Sequence, residues 1–311
     1  MRLVTFEAEG TERLGAVIGD GGTEERVIDL PLAAAALAST GRGPGVGELP
    51  SDMLALLRAG DAGIDAARAT LDAVAGESPD DARYSHALSA VRLRAPIGVP
   101  GKILCIGQNY RDHVLEQNGT MPERPIIFAK FANAVAGPDD DVIYPTTTRS
   151  LDYEAELVVV IGRGGKHIAR EQAYEHVAGY MCGQDVTARD IQKGDGQWVR
   201  GKTQDTTAPM GPYLVTRDEV PDPQALDIRL WVNGELRQDS NTLNLIFDVP
   251  TLIAFISEGI TLAPGDVIYT GTPPGVGAFR KPPAFLQVGD ETSMEVQGLG
   301  RLTNRIVADS R

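Results

Sequence analysis

The chain has 311 residues, of which 42% are hydrophobic and 23% charged, ordinary globular usage that excludes a disordered, collagen-like or coiled-coil protein. It carries 43 acidic against 29 basic residues, a formal net charge of -14. That negative field opposes phosphate binding, so no nucleic-acid partner is expected, and an anionic substrate would need a local cationic feature.

Residues 1–7 alternate like a strand and carry Glu7 where a secretory signal would need an unbroken apolar stretch, so no signal peptide is expected. No segment approaches the ~20 apolar residues of a membrane span, so a soluble cytoplasmic protein is expected. Alternating apolar residues predict strands over 3–8 and 14–19 and a third around 25–30. Pro31 opens a predicted helix that Gly41 ends, and 52–59 and 63–75 read as two more helices. Gly-rich and Pro-rich stretches at 41–47 and 76–81 read as loops. Residues 94–101 hold two prolines and two glycines and mark a boundary. Two units follow from this, a small N-terminal α/β domain at 1–95 and a second domain at 96–311.

The second domain shows nine candidate strands with few long helices between them: 102–106, 126–130, 142–144, 153–161, 179–184, 213–216, 228–232, 267–270 and 292–296. The expected class is α+β, with a mixed or antiparallel β architecture. The Gly-rich stretch 271–277 contains two prolines and no following amphipathic helix, so it does not read as a dinucleotide loop. Cys105 and Cys182 each sit inside an apolar run and read as buried free thiols.

Glu154 and Glu156 open an apolar run ending at Ile161. Residues two apart on a strand point to one face, so the two carboxylates converge. Two readings remain open: a buried pair that needs a cation between its members, or a solvent-exposed strand end. Asp185 ends another apolar run and supplies a third oxygen donor, a set suited to Mg²⁺ or Mn²⁺ and not to zinc. Among the four histidines, His86, His167 and His176 lie in polar segments and read as surface residues. His113 lies three residues before Glu116, on one side of a helical turn, where a carboxylate can orient an imidazole as a general base.

The motifs 107–110 with His113 and Glu116, then 152–157, 184–192, 201–206 with 209–212, and finally 270–277, resemble in order those of the fumarylacetoacetate hydrolase family. The resemblance is to the bacterial two-domain type, which includes acylpyruvate and 2,4-diketo acid hydrolases and 2-hydroxyhepta-2,4-diene-1,7-dioate isomerases. It covers about two thirds of the chain. It implies a catalytic mixed β-sandwich roll, a homodimer, and a divalent ion, Mg²⁺ or Mn²⁺ with Ca²⁺ sometimes present in crystals, held by Glu154, Glu156 and Asp185. It further implies a His113–Glu116 base pair on a segment that orders with ligand, charge stabilisation by Lys202, and substrate contacts from Arg189, Gln192 and Thr272.

The chemistry so implied is cleavage of a carbon–carbon bond in an acylpyruvate or 1,3-diketone, with water activated by His113 and an enolate leaving group stabilised by the ion and Lys202. Decarboxylation of an oxaloacetate-type acid or enol isomerisation is the alternative on the same site. Arg111, Lys130 and Arg149 flank the motifs as candidate grips for a second substrate carboxylate, and 117–122 reads as a polar lid. Val186 stands where fumarylacetoacetases proper carry Trp, so fumarylacetoacetate itself is not the expected substrate.

Overall fold

The computed structural model describes residues 1–19, 25–39, 49–77 and 79–310. Its largest element is a twelve-stranded sheet whose main path begins at Ser85–Ala87 and runs through Arg26–Asp29, Thr11–Ile18 and Arg2–Ala8. It continues through Ala208–Thr216, Val177–Gln184, Ala155–Ile161, Val267–Tyr269 and Ile103–Gly107 to Ile126–Lys130. Most neighbours are antiparallel, but Val267–Tyr269 and Ile103–Gly107 run parallel, so the sheet is mixed. A five-stranded sheet contains Glu235–Asn241, Asp227–Val232, Glu291–Val296, Arg301–Ala308 and Val142–Tyr144. The α+β class and the mixed β-sandwich roll expected from the sequence are both present.

Ala155–Ile161 is buried at every residue because both of its faces are covered, which is why it reads as an unbroken apolar run and does not alternate. Leu157, Val159 and Ile161 pack on one side with Ile228 and Leu230 of the smaller sheet and Leu252, Ile253 and Ile256 of helix Val249–Gly259. Val158 and Val160 pack on the other side with Leu3, Leu14, Leu56 and Leu57. The described residues of 1–95 and 96–311 therefore share one sheet and the hydrophobic cluster on the Val158 side of it, and Arg2 and Leu3 pair directly with Val215 and Leu214.

Helix caps follow local chemistry. Asp52 accepts from the Ala55 N–H at 2.8 Å and starts Met53–Arg58, and Asp248 does the same for Thr251 at 2.9 Å at the start of Val249–Gly259. Some boundaries differ from expectation. Helix Gly60–Glu77 runs through Gly76 and Glu77, the first residues of the predicted 76–81 loop, because its amphipathic pattern continues past one tolerated glycine. The expected loop at 41–47 lies outside the described residues. The strand predicted from 153 starts at Ala155, after a separate two-residue pairing of Leu151–Asp152 with Thr187–Ala188. His167 is exposed as expected, whereas His86 and His176 are half-buried: His86 packs on the Phe6 ring and His176 meets the Arg163 carbonyl at 2.8 Å. Among the described residues no helix is long and apolar enough to cross a membrane. Both cysteines are free and buried.

Candidate active site and metal centre

Ala155 pairs with Gln184 across antiparallel neighbours, so the start of one strand and the end of the other meet at the same end of the sheet. Glu154 and Glu156 come from the first of these and Asp185 follows the second. Each offers a carboxylate oxygen, and the three lie within 4.8 Å of one another, all buried. Of the two readings the sequence left open for the glutamates, the exposed strand end is therefore excluded, since Glu154 is 4% and Glu156 1% exposed.

Three cations surround them. Lys202, at the end of helix Val199–Lys202, donates from Nζ to Glu154 Oε2 and to Asp185 Oδ2, each at 2.6 Å. Lys130, at the end of Ile126–Lys130, donates to Asp185 Oδ1 at 2.6 Å and to the Val186 carbonyl at 3.0 Å. Arg189 donates to Asp152 Oδ2 at 2.8 Å and to Glu154 Oε1 at 2.5 Å. Four buried carboxylates thus face three buried cations, and Glu156 has no cationic partner among the described residues. Among the described residues its one hydrogen-bond donor is the Gly271 N–H, at 2.7 Å. Gly271 has φ +107, and a Cβ there would come within 2.8 Å of Asn109, so this donor position requires glycine.

The charge imbalance sets the protonation tendencies. Burial raises the Glu154 carboxyl, but Arg189 and Lys202 outweigh it and hold that group well below the usual range. Burial, reinforced by the charges of Asp185 and Glu154, pushes Glu156 well above it. Burial lowers Lys202, and Asp185 and Glu154 more than restore it. A divalent ion fits this arrangement: the donors are all hard carboxylate oxygens, and added positive charge removes the penalty concentrated on Glu156.

Helix Arg111–Glu116 brings a second group to the same place. His113 Nδ1 lies 3.0 Å from Glu116 Oε2, and Glu116 Oε1 accepts the Gly275 N–H at 3.0 Å. The buried His113 ring stands edge-on to Phe279, with centroids 5.7 Å apart. Asn109 pins this segment by donating to the Thr270 carbonyl at 2.7 Å and accepting the Phe247 N–H at 2.8 Å. A cavity of about 170 Å³ joins the parts and is lined by His113, the three acids, Lys202 and Thr272, among others. The Thr272 hydroxyl accepts from Gln238 Nε2 at 2.9 Å.

Residues 102–307 match the C-terminal domain of fumarylacetoacetate hydrolase. The chain belongs to the fumarylacetoacetate hydrolase family. The mitochondrial oxaloacetate tautomerase of Xenopus laevis is 44% identical, over 99% of this chain and 90% of that protein. The oxaloacetate tautomerase of Bacillus subtilis is 39% identical, over 98% of this chain and 100% of its own. The solved fumarylacetoacetate hydrolase of Exiguobacterium antarcticum superposes with a TM-score of 0.79 at 34% identity, covering 99% and 100% of the two chains. The family is one of enzymes, and its members use divalent metals.

Of the residues singled out from the sequence, Glu154, Glu156, Asp185, His113, Lys202, Arg189, Gln192 and Thr272 line this cavity, and Glu116 stands behind His113. Arg111 is exposed and does not line it. Lys130 turns to Asp185 instead of the open space, because its buried ammonium needs the carboxylate. Arg149 is exposed and donates its backbone N–H to Asp190. Asp152 was not assigned a role from the sequence, yet it takes Arg189 and the N–H groups of Gly277 and Ala278. Its position two residues before Glu154 was the available signal. Gln108, which lies within the 107–110 motif but is given no role there, also lines the cavity, as do Phe128, Lys193 and Trp198. Gln108 has φ +53, the left-handed region often occupied at functional positions.

Proposed function

We propose that the chain interconverts the enol and keto forms of oxaloacetate, or of a closely similar short α-keto diacid, at a centre holding Mg²⁺ or Mn²⁺. The observation that carries this reading is that an oxygen-only carboxylate triad and a Glu-held imidazole face one small cavity of about 170 Å³. Pockets for drug-sized ligands run to about 300–1,000 Å³, so this volume suits a short keto acid better than a long acyl chain. The Xenopus laevis and Bacillus subtilis relatives, matched over nearly the whole chain, are named oxaloacetate tautomerases, which supports the same substrate.

A hard divalent ion at the triad would supply Lewis-acid polarisation of the substrate's keto oxygen. His113 donates from Nδ1 to Glu116, which fixes its tautomer and leaves Nε2 to carry a proton between the enol oxygen and carbon 3. Lys202, held by Glu154 and Asp185, adds positive charge where the enolate oxygen forms. Lys193 lines the cavity from an exposed position and has no ion-pair partner among the described residues, so it receives the distal carboxylate. Gln192 and the Thr272 hydroxyl orient the substrate from the walls. Lys130 and Arg189 act on the carboxylates and hold Asp185 and Glu154 in place.

Carbon–carbon hydrolysis of a short acylpyruvate is the second reading, favoured by the same His113–Glu116 pair, which is also an arrangement for deprotonating water. One comparison separates the two. With Mg²⁺ present, the chain should accelerate loss of enol-oxaloacetate absorbance without releasing carbon dioxide, and should release little acetate and pyruvate from acetylpyruvate. Faster release from acetylpyruvate than enol loss from oxaloacetate would overturn the tautomerase reading in favour of the hydrolase.

A further inference from the structure

A second cavity, of about 580 Å³, lies beside the Gly-rich loop and is lined by Glu116, Arg237, Gly275, Arg280, Lys281 and the 282–284 segment. Three cations thus share one concavity in a chain whose net charge is -14. Their charges are poorly compensated. Arg280 spends its N–H groups on neutral acceptors, the Tyr153 hydroxyl at 3.1 Å and the carbonyls of Gly275 and Arg237 at 3.2 and 2.9 Å. Lys281 is exposed and has no ion pair among the described residues. Arg237 pairs with Glu235 at 2.9 Å, but that carboxylate is 64% exposed and screened, and the buried Arg237 Nε has no hydrogen-bond partner. Glu116, the acid lining the cavity, is already committed through both oxygens, to Gly275 and to His113.

Three like charges beside a single carboxylate that is already engaged repel, and an unpaired buried guanidinium N–H costs desolvation energy. An anion in the cavity relieves both, and the arginine N–H donors left unengaged, beside an exposed ammonium, suit an oxyanion with several acceptor oxygens. We propose that this cavity is a second anion site, distinct from the metal centre, that takes a small polyvalent oxyanion of the phosphate or dicarboxylate class. Gly275 donates to Glu116, so an occupant bears on the strap that orients His113 and acts as an effector as well as a ligand.

The test is calorimetric titration of the Mg²⁺-loaded protein, first saturated with oxalate so that the metal centre is filled. Inorganic phosphate and succinate are titrated in separate arms to distinguish the two sources of the oxyanion, with chloride as control. At least one of the two should bind at one site per chain. Lys281→Glu, and separately Arg237→Gln, should weaken that binding roughly tenfold, the loss of one charge-assisted contact, in variants that melt at the wild-type temperature. Absence of binding in both arms, or binding that both variants leave unchanged, would overturn the proposal. None of these readouts depends on turnover, so failure of the tautomerase reading would leave the result interpretable.

Discussion

Replacing Lys130 by Met tests the internal wiring of the site. Lys130 is 3% exposed, and its ammonium makes two bonds, to Asp185 Oδ1 at 2.6 Å and to the Val186 carbonyl at 3.0 Å. Methionine keeps most of the aliphatic stem, so little packing is lost, but Asp185 loses one of its two cations and its Oδ1 loses its partner. Breaking a buried ion pair from one side costs about 3–5 kcal/mol. The low end applies here, because Lys202 still holds Oδ2. Urea unfolding in EDTA should therefore show Lys130→Met to be less stable than wild type by about 3 kcal/mol. A divalent ion at one hundred times its dissociation constant should raise the stability of the variant itself by about 2.7 kcal/mol above its value in EDTA. A loss below about 1 kcal/mol in EDTA, the size of an exposed pair, would refute the argument that this network is buried and charge-limited.

Other expectations follow from the same geometry. Because the folded-state pKa of Glu156 is raised, the folded chain binds a proton more tightly than the unfolded one, so without metal its contribution to stability falls as pH rises above the unfolded carboxylate value. Glu156→Gln should flatten that slope in EDTA melts between pH 5 and 8 and abolish the Mg²⁺-induced rise in Tm; parallel slopes for the two proteins would contradict the assignment. His113→Gln should lower kcat by about two to four orders of magnitude while Mn²⁺ binding, followed by paramagnetic resonance, stays intact. Gly277→Ala would set a Cβ 2.1 Å from the Ala284 carbonyl and 2.6 Å from Asp152, so it should destabilise the fold by roughly 1–3 kcal/mol in urea titration. Burial raises the Cys182 thiol to about 12 and Cys105 well above its usual value, so a thiol reagent at pH 8 should label neither in the native protein and both in urea.

The triad was legible because its signal is local: two glutamates two residues apart at the head of an apolar run, and an aspartate closing another. The helical spacing of His113 and Glu116 was legible for the same reason. The network behind them was not, because Lys130 reaches Asp185 across 55 positions and Arg189 reaches Glu154 across 35, and no periodicity encodes such pairs. Lys130 was accordingly read as a grip for substrate, when burial leaves its ammonium no stable partner but a carboxylate. Strand Glu235–Asn241 is not legible in the sequence because all its residues except Leu236 are polar or charged, with no apolar alternation to follow. The sharing of one sheet by the N-terminal block and the catalytic strands was hidden as well, since it rests on Arg2 and Leu3 meeting a strand more than two hundred residues away.

In the proposed reaction a divalent ion at Glu154, Glu156 and Asp185 drives enolate chemistry in the cavity. Stepwise titration of EDTA-treated, dialysed protein with Mn²⁺, recording bound ion and enol-oxaloacetate loss on the same samples, tests this most directly. The predicted result is activity that rises in proportion to occupancy and reaches its plateau at one ion per chain, with neither binding nor activity in Glu154→Ala. Full activity before any ion is bound, or stoichiometric binding that Glu154→Ala leaves unchanged, would contradict it.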